Sequence, residues 1–139
     1  MNFIDKVLAK ENKLSDDDIL QAMADIYDEP EVRNILDNYP LYIRDVISII
    51  DYDTELQMEG LEGVLEGDLS QKYTEIHSAL LHCGAVEEAC IIAQAKQLDI
   101  DSENYDEQIA KLQMQTALYN DYEHFWYLVR NYIGKHRGR

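Results

Sequence analysis

Between Thr54 and Ala95, helix-start and helix-stop residues follow one another so closely that the stretch constrains the whole chain toward an all-α fold. Asp68 with Gln71 three residues on forms a capping-box pair, in which each side chain can satisfy a backbone N–H left open at a helix start. Tyr73, Ile76, Ala79, Leu80 and Cys83 then recur at helical spacing, and Gly84 tolerates the left-handed conformation that closes a helix. The pattern predicts a helix over residues 69–83. Val86, Ala89, Cys90, Ile91, Ile92, Ala93 and Ala95 place apolar side chains on nearly every face, so residues 86–98 are expected to form the most buried helix. Upstream, Gly60, Gly63 and Gly67 predict a bend and a short turn instead of one unbroken helix.

The remaining chain reads in the same way. Phe3, Ile4, Val7 and Leu8 make a short amphipathic helix that Glu11 to Lys13 ends. Ser15 with Asp18 is a second capping box, followed by the apolar face Ile19, Leu20, Met23 and Ile26. Pro30 and Pro40 each suit the first position of a helix, the second opening a run through Ile43, Val46, Ile47 and Ile50. Asn104 with Glu107 closes the connection LDIDSENYDE. From there Ile109, Leu112, Thr116, Tyr119, Tyr122, Trp126, Val129 and Ile133 step by three or four, which predicts one long helix over 105–133, the longest in the fold. Gly134 is expected to end it and KHRGR to fray. The expectation is a single all-α domain over residues 1–139, a bundle of six or seven helices with a long C-terminal helix. No run of period-two alternation calls for strands.

At 139 residues one core suffices without staples, and Cys83 and Cys90 sit inside helical patterns where no disulfide framework is implied. The N-terminus lacks a basic start followed by an apolar run, and no stretch of about eighteen apolar residues occurs, so a cytoplasmic location is expected. The charge balance narrows function further: 12 Lys and Arg face 28 Asp and Glu, a net charge of −16. Three of the bases, Lys135, Arg137 and Arg139, fall in the last five residues. Direct nucleic-acid binding, which needs clustered bases to neutralise phosphates, is disfavoured, and a basic protein partner is favoured.

Sites for chemistry are scarce. Asp51, Asp53, Glu55, Glu59 and Glu62 fall at positions 1, 3, 5, 9 and 12 of a twelve-residue window, like the oxygen ligands of an EF-hand, but Leu56 stands where glycine must make the turn. Asp99, Asp101 and Glu103 begin a similar window with Asn104 at the glycine position and Ala110 at the bidentate one. The histidines His77, His82, His124 and His136 show no zinc spacing, and neither a nucleophile elbow nor a phosphate loop is present. No metal site, no cofactor and no enzymatic activity are expected.

The acids are segregated. Asp51, Asp53, Glu55, Glu59, Glu62, Glu66 and Asp68 run without an interleaved base, and Asp99 to Glu107 repeat the pattern. Glu55, Glu59, Glu62 and Glu66 step by four, three and four, so on a helix they share one face with neighbours about 5–6 Å apart. Like charges so placed cost about 0.2–0.5 kcal/mol per pair, whereas a helix evolved only for solubility gains ion pairs by mixing signs. The glycine-containing turn with Leu61, Val64 and Leu65, followed by the helix ending Cys83-Gly84-Ala85-Val86-Glu87-Glu88-Ala89, resembles the core of the DNA-mimic-protein-like family of bacterial proteins. A looser likeness covers LYNDYEHFWYLVRNYI. That family's turn usually reads Asn-Gly-Gly before an aromatic residue, where this chain has Met58-Glu59-Gly60-Leu61. The resemblance implies an all-α protein that occupies a DNA-binding protein in place of DNA.

The seven acids from Asp51 to Asp68 are accordingly the expected partner-binding face, with Asp99 to Glu107 a second element of it. An immunity or antitoxin-type inhibitor of one toxic enzyme is the alternative. Phe125, Trp126 and Tyr127 cannot all share one helix face, since consecutive residues point about 100° apart, so at least one is expected to stay exposed and to offer a homodimer contact.

Overall fold

A computed structural model describes residues 1–138; Arg139 lies outside the described residues. These residues contain seven α-helices and five 3-10 stretches, with no strand among them. Asn2 and Asp5 exchange capping-box bonds (2.9 and 3.3 Å) to open α1, Phe3–Ala9. Ser15 and Asp18 do the same (3.0 and 3.1 Å) for α2, Asp16–Met23. Pro30 heads a 3-10 stretch to Asn38, and Pro40, at the cap position, leads into α3, Leu41–Glu66.

The bundle is assembled around α3. Its 26 residues bury Ile43, Val46, Ile47, Ile49, Tyr52 and Leu56, and α2, α4 (Tyr73–His82), α5 (Val86–Lys96), α6 (Tyr105–Gln115) and α7 (Tyr122–His136) all pack on it. The expectation that 86–98 would be the most buried helix is therefore corrected: α5 leaves Val86 and Cys90 exposed. Ala89, Ile91, Ile92 and Ala95 of α5 face the core, but Val86 and Cys90 lie on its outer side, while α3 buries the larger set of bulky β-branched side chains.

Gly60 interrupts α3 as its position in the sequence suggests. It adopts φ 74°, ψ −175°, a conformation essentially reserved for glycine, so the helix stops and restarts within one residue. The N–H of Leu61, deprived of its helical acceptor, donates to Gln113 Oε1 at 3.0 Å, tying the bend to α6. Gly84 closes α4 with φ 85°, while the expected box of Asp68 and Gln71 does not form: a 3-10 turn, Asp68–Lys72, precedes α4 instead.

The predicted single helix over 105–133 is also corrected. Thr116 is extended (φ −65°, ψ 158°) and separates α6 from a 3-10 turn, Ala117–Tyr119, and from α7. Side chains supply the bonds the helix forgoes. Thr116 Oγ1 donates to the Gln113 carbonyl (2.7 Å), Asn120 Nδ2 donates to the carbonyls of Met114 and Thr116 (2.8 Å each), and Asp121 caps α7 at the His124 N–H (3.1 Å). The expected box of Asn104 and Glu107 is absent, since Asn104 accepts from Ser102 Oγ (2.6 Å).

Nor does Gly134 end the last helix. It lies inside α7 where α2 approaches, and a Cβ there would stand 2.7 Å from Asp16 Oδ2. Beyond it α7 continues through His136, and Arg137 pairs with Asp16 at 2.9 Å and donates to the Glu11 and Leu14 carbonyls; the expectation of fraying at Arg139 lies outside the described residues. The aromatic triplet divides as expected, with Phe125 buried, Trp126 half-buried and Tyr127 exposed. No described helix is long and apolar enough to cross a membrane.

Candidate functional site

The seven acids expected to form one face separate by burial, because α3 buries one side and exposes the other both before and after Gly60. Asp51 is 7 % exposed and carries a two-pronged ion pair with Arg33 (2.7 and 2.9 Å) plus the hydroxyl of Tyr27 (2.6 Å). It is a structural anchor and is removed from the expected partner-binding face. Asp53, half-buried, accepts from Tyr122 Oη (2.8 and 3.0 Å) and Gln57 Nε2 (2.8 Å), and burial raises its carboxyl above the usual aspartate range. Glu55 is half-buried and folds along the glycines, its Oε1 within 2.9 Å of where a Gly63 Cβ would stand. Asp68 is exposed but borders a different groove, between α3 and α4, in company with Arg44 and Lys72.

Glu59, Glu62 and Glu66 are exposed, and among the described residues no Lys, Arg or His comes within ion-pair distance of them. The second acidic run meets them. Tyr105, at the start of α6, is buried with its hydroxyl unpartnered; burial raises its pKa, and the charges of Glu62, Glu66 and Asp106 raise it further. Two acidic stretches some forty residues apart in sequence thus converge on one tyrosine where α6 packs against α3. The convergence was not visible in the sequence, although the tyrosine inside the second run marked the place.

The interior follows a rule that sequence reading missed. Six tyrosine hydroxyls donate to carboxylates: Tyr27 to Asp51, Tyr39 to Asp5 (2.9 Å), Tyr42 to Glu11 (3.2 Å), Tyr52 to Glu88 (2.5 Å), Tyr122 to Asp53 and Tyr132 to Asp45 (2.5 Å). Such charge-assisted bonds help hold Asp53 and Glu88, which have no Lys, Arg or His paired with them among the described residues, while Asp51 also has Arg33. Asp45 also binds His82 Nδ1 at 2.9 Å, and Glu88 accepts the N–H of Ala117 at 3.0 Å. Ten tyrosines in an acidic chain were the available signal.

Five of the twelve bases form ion pairs, Arg33 with Asp51, Arg44 with Asp37, Lys111 with Glu107, Arg130 with Asp17 and Arg137 with Asp16, and none of the five pairs with Glu59, Glu62, Glu66 or Asp106. Glu59, Glu62, Glu66 and Asp106 therefore carry charge that no ion pair offsets among the described residues. Among the described residues no three His, Cys, Asp or Glu side chains gather as ligands for a metal ion. Comparison with family models, curated proteins and solved structures finds no match to this chain.

Proposed function

We propose that the chain is an acidic, non-catalytic protein-binding module of the DNA-mimic kind that the sequence resembles, occupying the DNA-binding surface of a basic partner. The observation that carries this is that Glu62 and Glu66 of α3 and Asp106 of α6 act on the one buried hydroxyl of Tyr105, and that no cation is paired to Glu59, Glu62 or Glu66, all exposed, among the described residues. Glu62 and Glu66 keep helical spacing beyond the bend at Gly60, Glu59 lies just before it, and together these carboxylates present negative charge comparable to that of a phosphate backbone. They steer a Lys- and Arg-rich surface toward them and favour it over neutral competitors. The binding face on this reading is Glu59, Glu62, Glu66 and Asp106, flanked by Asp99, Asp101, Glu103 and Glu107.

Immobilised protein is to be exposed to extract of the producing cells and washed with duplex DNA. A DNA-binding protein retained by the parent, released by DNA and not retained by the E59Q/E62Q/E66Q variant is the expected result. One cognate protein held equally by parent and variant, whether or not DNA is added, would instead identify an immunity-type inhibitor.

A further inference from the structure

A groove of about 690 Å³ runs between α2, α3 and α7, walled by Leu20, Ile50, Asp53, Tyr122, Glu123 and Trp126. Its polar floor is unusual. Asp53 is half-buried, yet its hydrogen bonds come only from neutral donors, Tyr122 and Gln57, and among the described residues it has no ion-pair partner. Arg130 borders the same groove but pairs with Asp17, at 3.8 Å. Tyr122 and Trp126 stand one helical turn apart with their rings at 89° and centroids 6.0 Å apart, so the aromatic wall is a corner and not a flat face.

We propose that this groove receives an arginine side chain of a protein partner, the guanidinium pairing with Asp53 and lying against the rings of Trp126 and Tyr122. Resting on the acidic-surface reading, this names the residue type by which a basic partner is anchored. Asp53 belongs to the same helix that carries Glu59, and Glu123 adds a second carboxylate at the groove's rim. Arginine fits better than lysine for physical reasons. A guanidinium is planar, is more weakly hydrated than an ammonium and so loses less on entering a half-buried groove, and stacks on aromatic rings while bonding a carboxylate. Burial raises the Asp53 carboxyl, and a guanidinium brought against it offsets that cost.

Trp126, a wall of this groove, is the only tryptophan, so tryptophan emission reports on its surroundings. The tripeptides Gly-Arg-Gly, Gly-Lys-Gly and Gly-citrulline-Gly are titrated into the full chain, citrulline being the neutral analogue of arginine. The arginine peptide should give a saturable change with an affinity about tenfold above that of the citrulline peptide and greater than that of the lysine peptide. D53N should bring the arginine peptide down to the citrulline level, and E123Q should weaken it by a smaller factor. If D53N does not fold, as judged by circular dichroism, E123Q together with the indole N–H shift of Trp126 on adding each peptide decides the question. Equal binding of arginine and citrulline peptides, equal binding of the lysine peptide, unchanged affinity in D53N, or no saturable change would each overturn the assignment. These peptides carry no partner surface, so failure here leaves the acidic surface standing, whereas retention of a basic protein that survives E59Q/E62Q/E66Q removes that surface and not the groove.

Discussion

Gln113 accepts from the N–H of Leu61 at 3.0 Å, at the one residue where α3 breaks. The bond and the break depend on each other. Gly60 occupies a backbone region closed to other residues, and a Cβ on it would stand 2.5 Å from Gln113 Oε1. G60A should therefore cost about 1–3 kcal/mol in backbone strain, before the displacement of Gln113 is counted. Q113A leaves the Leu61 donor without its partner and should cost about 1–3 kcal/mol. Urea unfolding of both variants measures this, and the double variant should lose less than the sum, because the two act on one bend.

Arg33 and Asp51 form the most enclosed two-pronged ion pair, with Arg33 about a quarter exposed and Asp51 nearly buried. R33A strands a buried carboxylate with only Tyr27 for support, and should destabilise by about 2 kcal/mol after allowance for water reaching the arginine. E59Q at the surface should leave stability within about 0.5 kcal/mol or raise it slightly. Thermal unfolding of the two variants side by side makes the contrast between a structural acid and a surface one.

The tyrosine–carboxylate pairs predict a particular alkaline transition. Burial and the neighbouring Asp51 push Tyr27 up to about 12, and burial with Glu11 pushes Tyr42 up to about 12, from an ordinary 10.0. Folded tyrosines hold their protons more tightly than unfolded ones, so their contribution to stability is whole below pH 10 and lost as pH rises toward 12. Ultraviolet titration should show a late group of tyrosines, Tyr27 and Tyr42 among them, ionising near 12 or with unfolding. In Y42F the late group should lose one member.

Much of this fold was legible in the sequence. The Ser15 box, the closing Gly84, the bend at Gly60 and the all-α class follow from local chemistry that acts within a few residues. The break at Thr116 was not, because Thr116, Tyr119 and Tyr122 keep helical spacing across it; Asn120-Asp121, a cap signal, was the only local warning. The site was legible in its charge and illegible in its grouping. Period and composition placed seven acids together, but only packing reveals that Asp51 is consumed by Arg33, that Asp68 faces another groove and that Asp106 joins Glu62 and Glu66.

The C-terminal segment should matter to stability in spite of its position. Arg137 joins the end of α7 to Asp16 and to the carbonyls of Glu11 and Leu14, and Gly134 permits the approach. R137A should lower stability by about 1–2 kcal/mol through lost hydrogen bonds to a charged group. G134A, a change that elsewhere in a helix stabilises, should destabilise here because its methyl meets Asp16. Hydrogen exchange of amides in Glu11 to Leu14 should quicken in both.

The central claim is that the surface of Glu59, Glu62, Glu66 and Asp106 is the binding face for a basic partner. The most direct measurement is the association rate of the parent and of E59Q/E62Q/E66Q with the retained DNA-binding protein, over a series of salt concentrations. Charges more than about 8 Å apart are largely screened at 0.15 M, so the parent's rate should fall steeply with salt while the variant is slow throughout and nearly flat. Equal rates and equal affinities for parent and variant, at low salt and at high, would contradict the claim and leave the immunity-type inhibitor in its place.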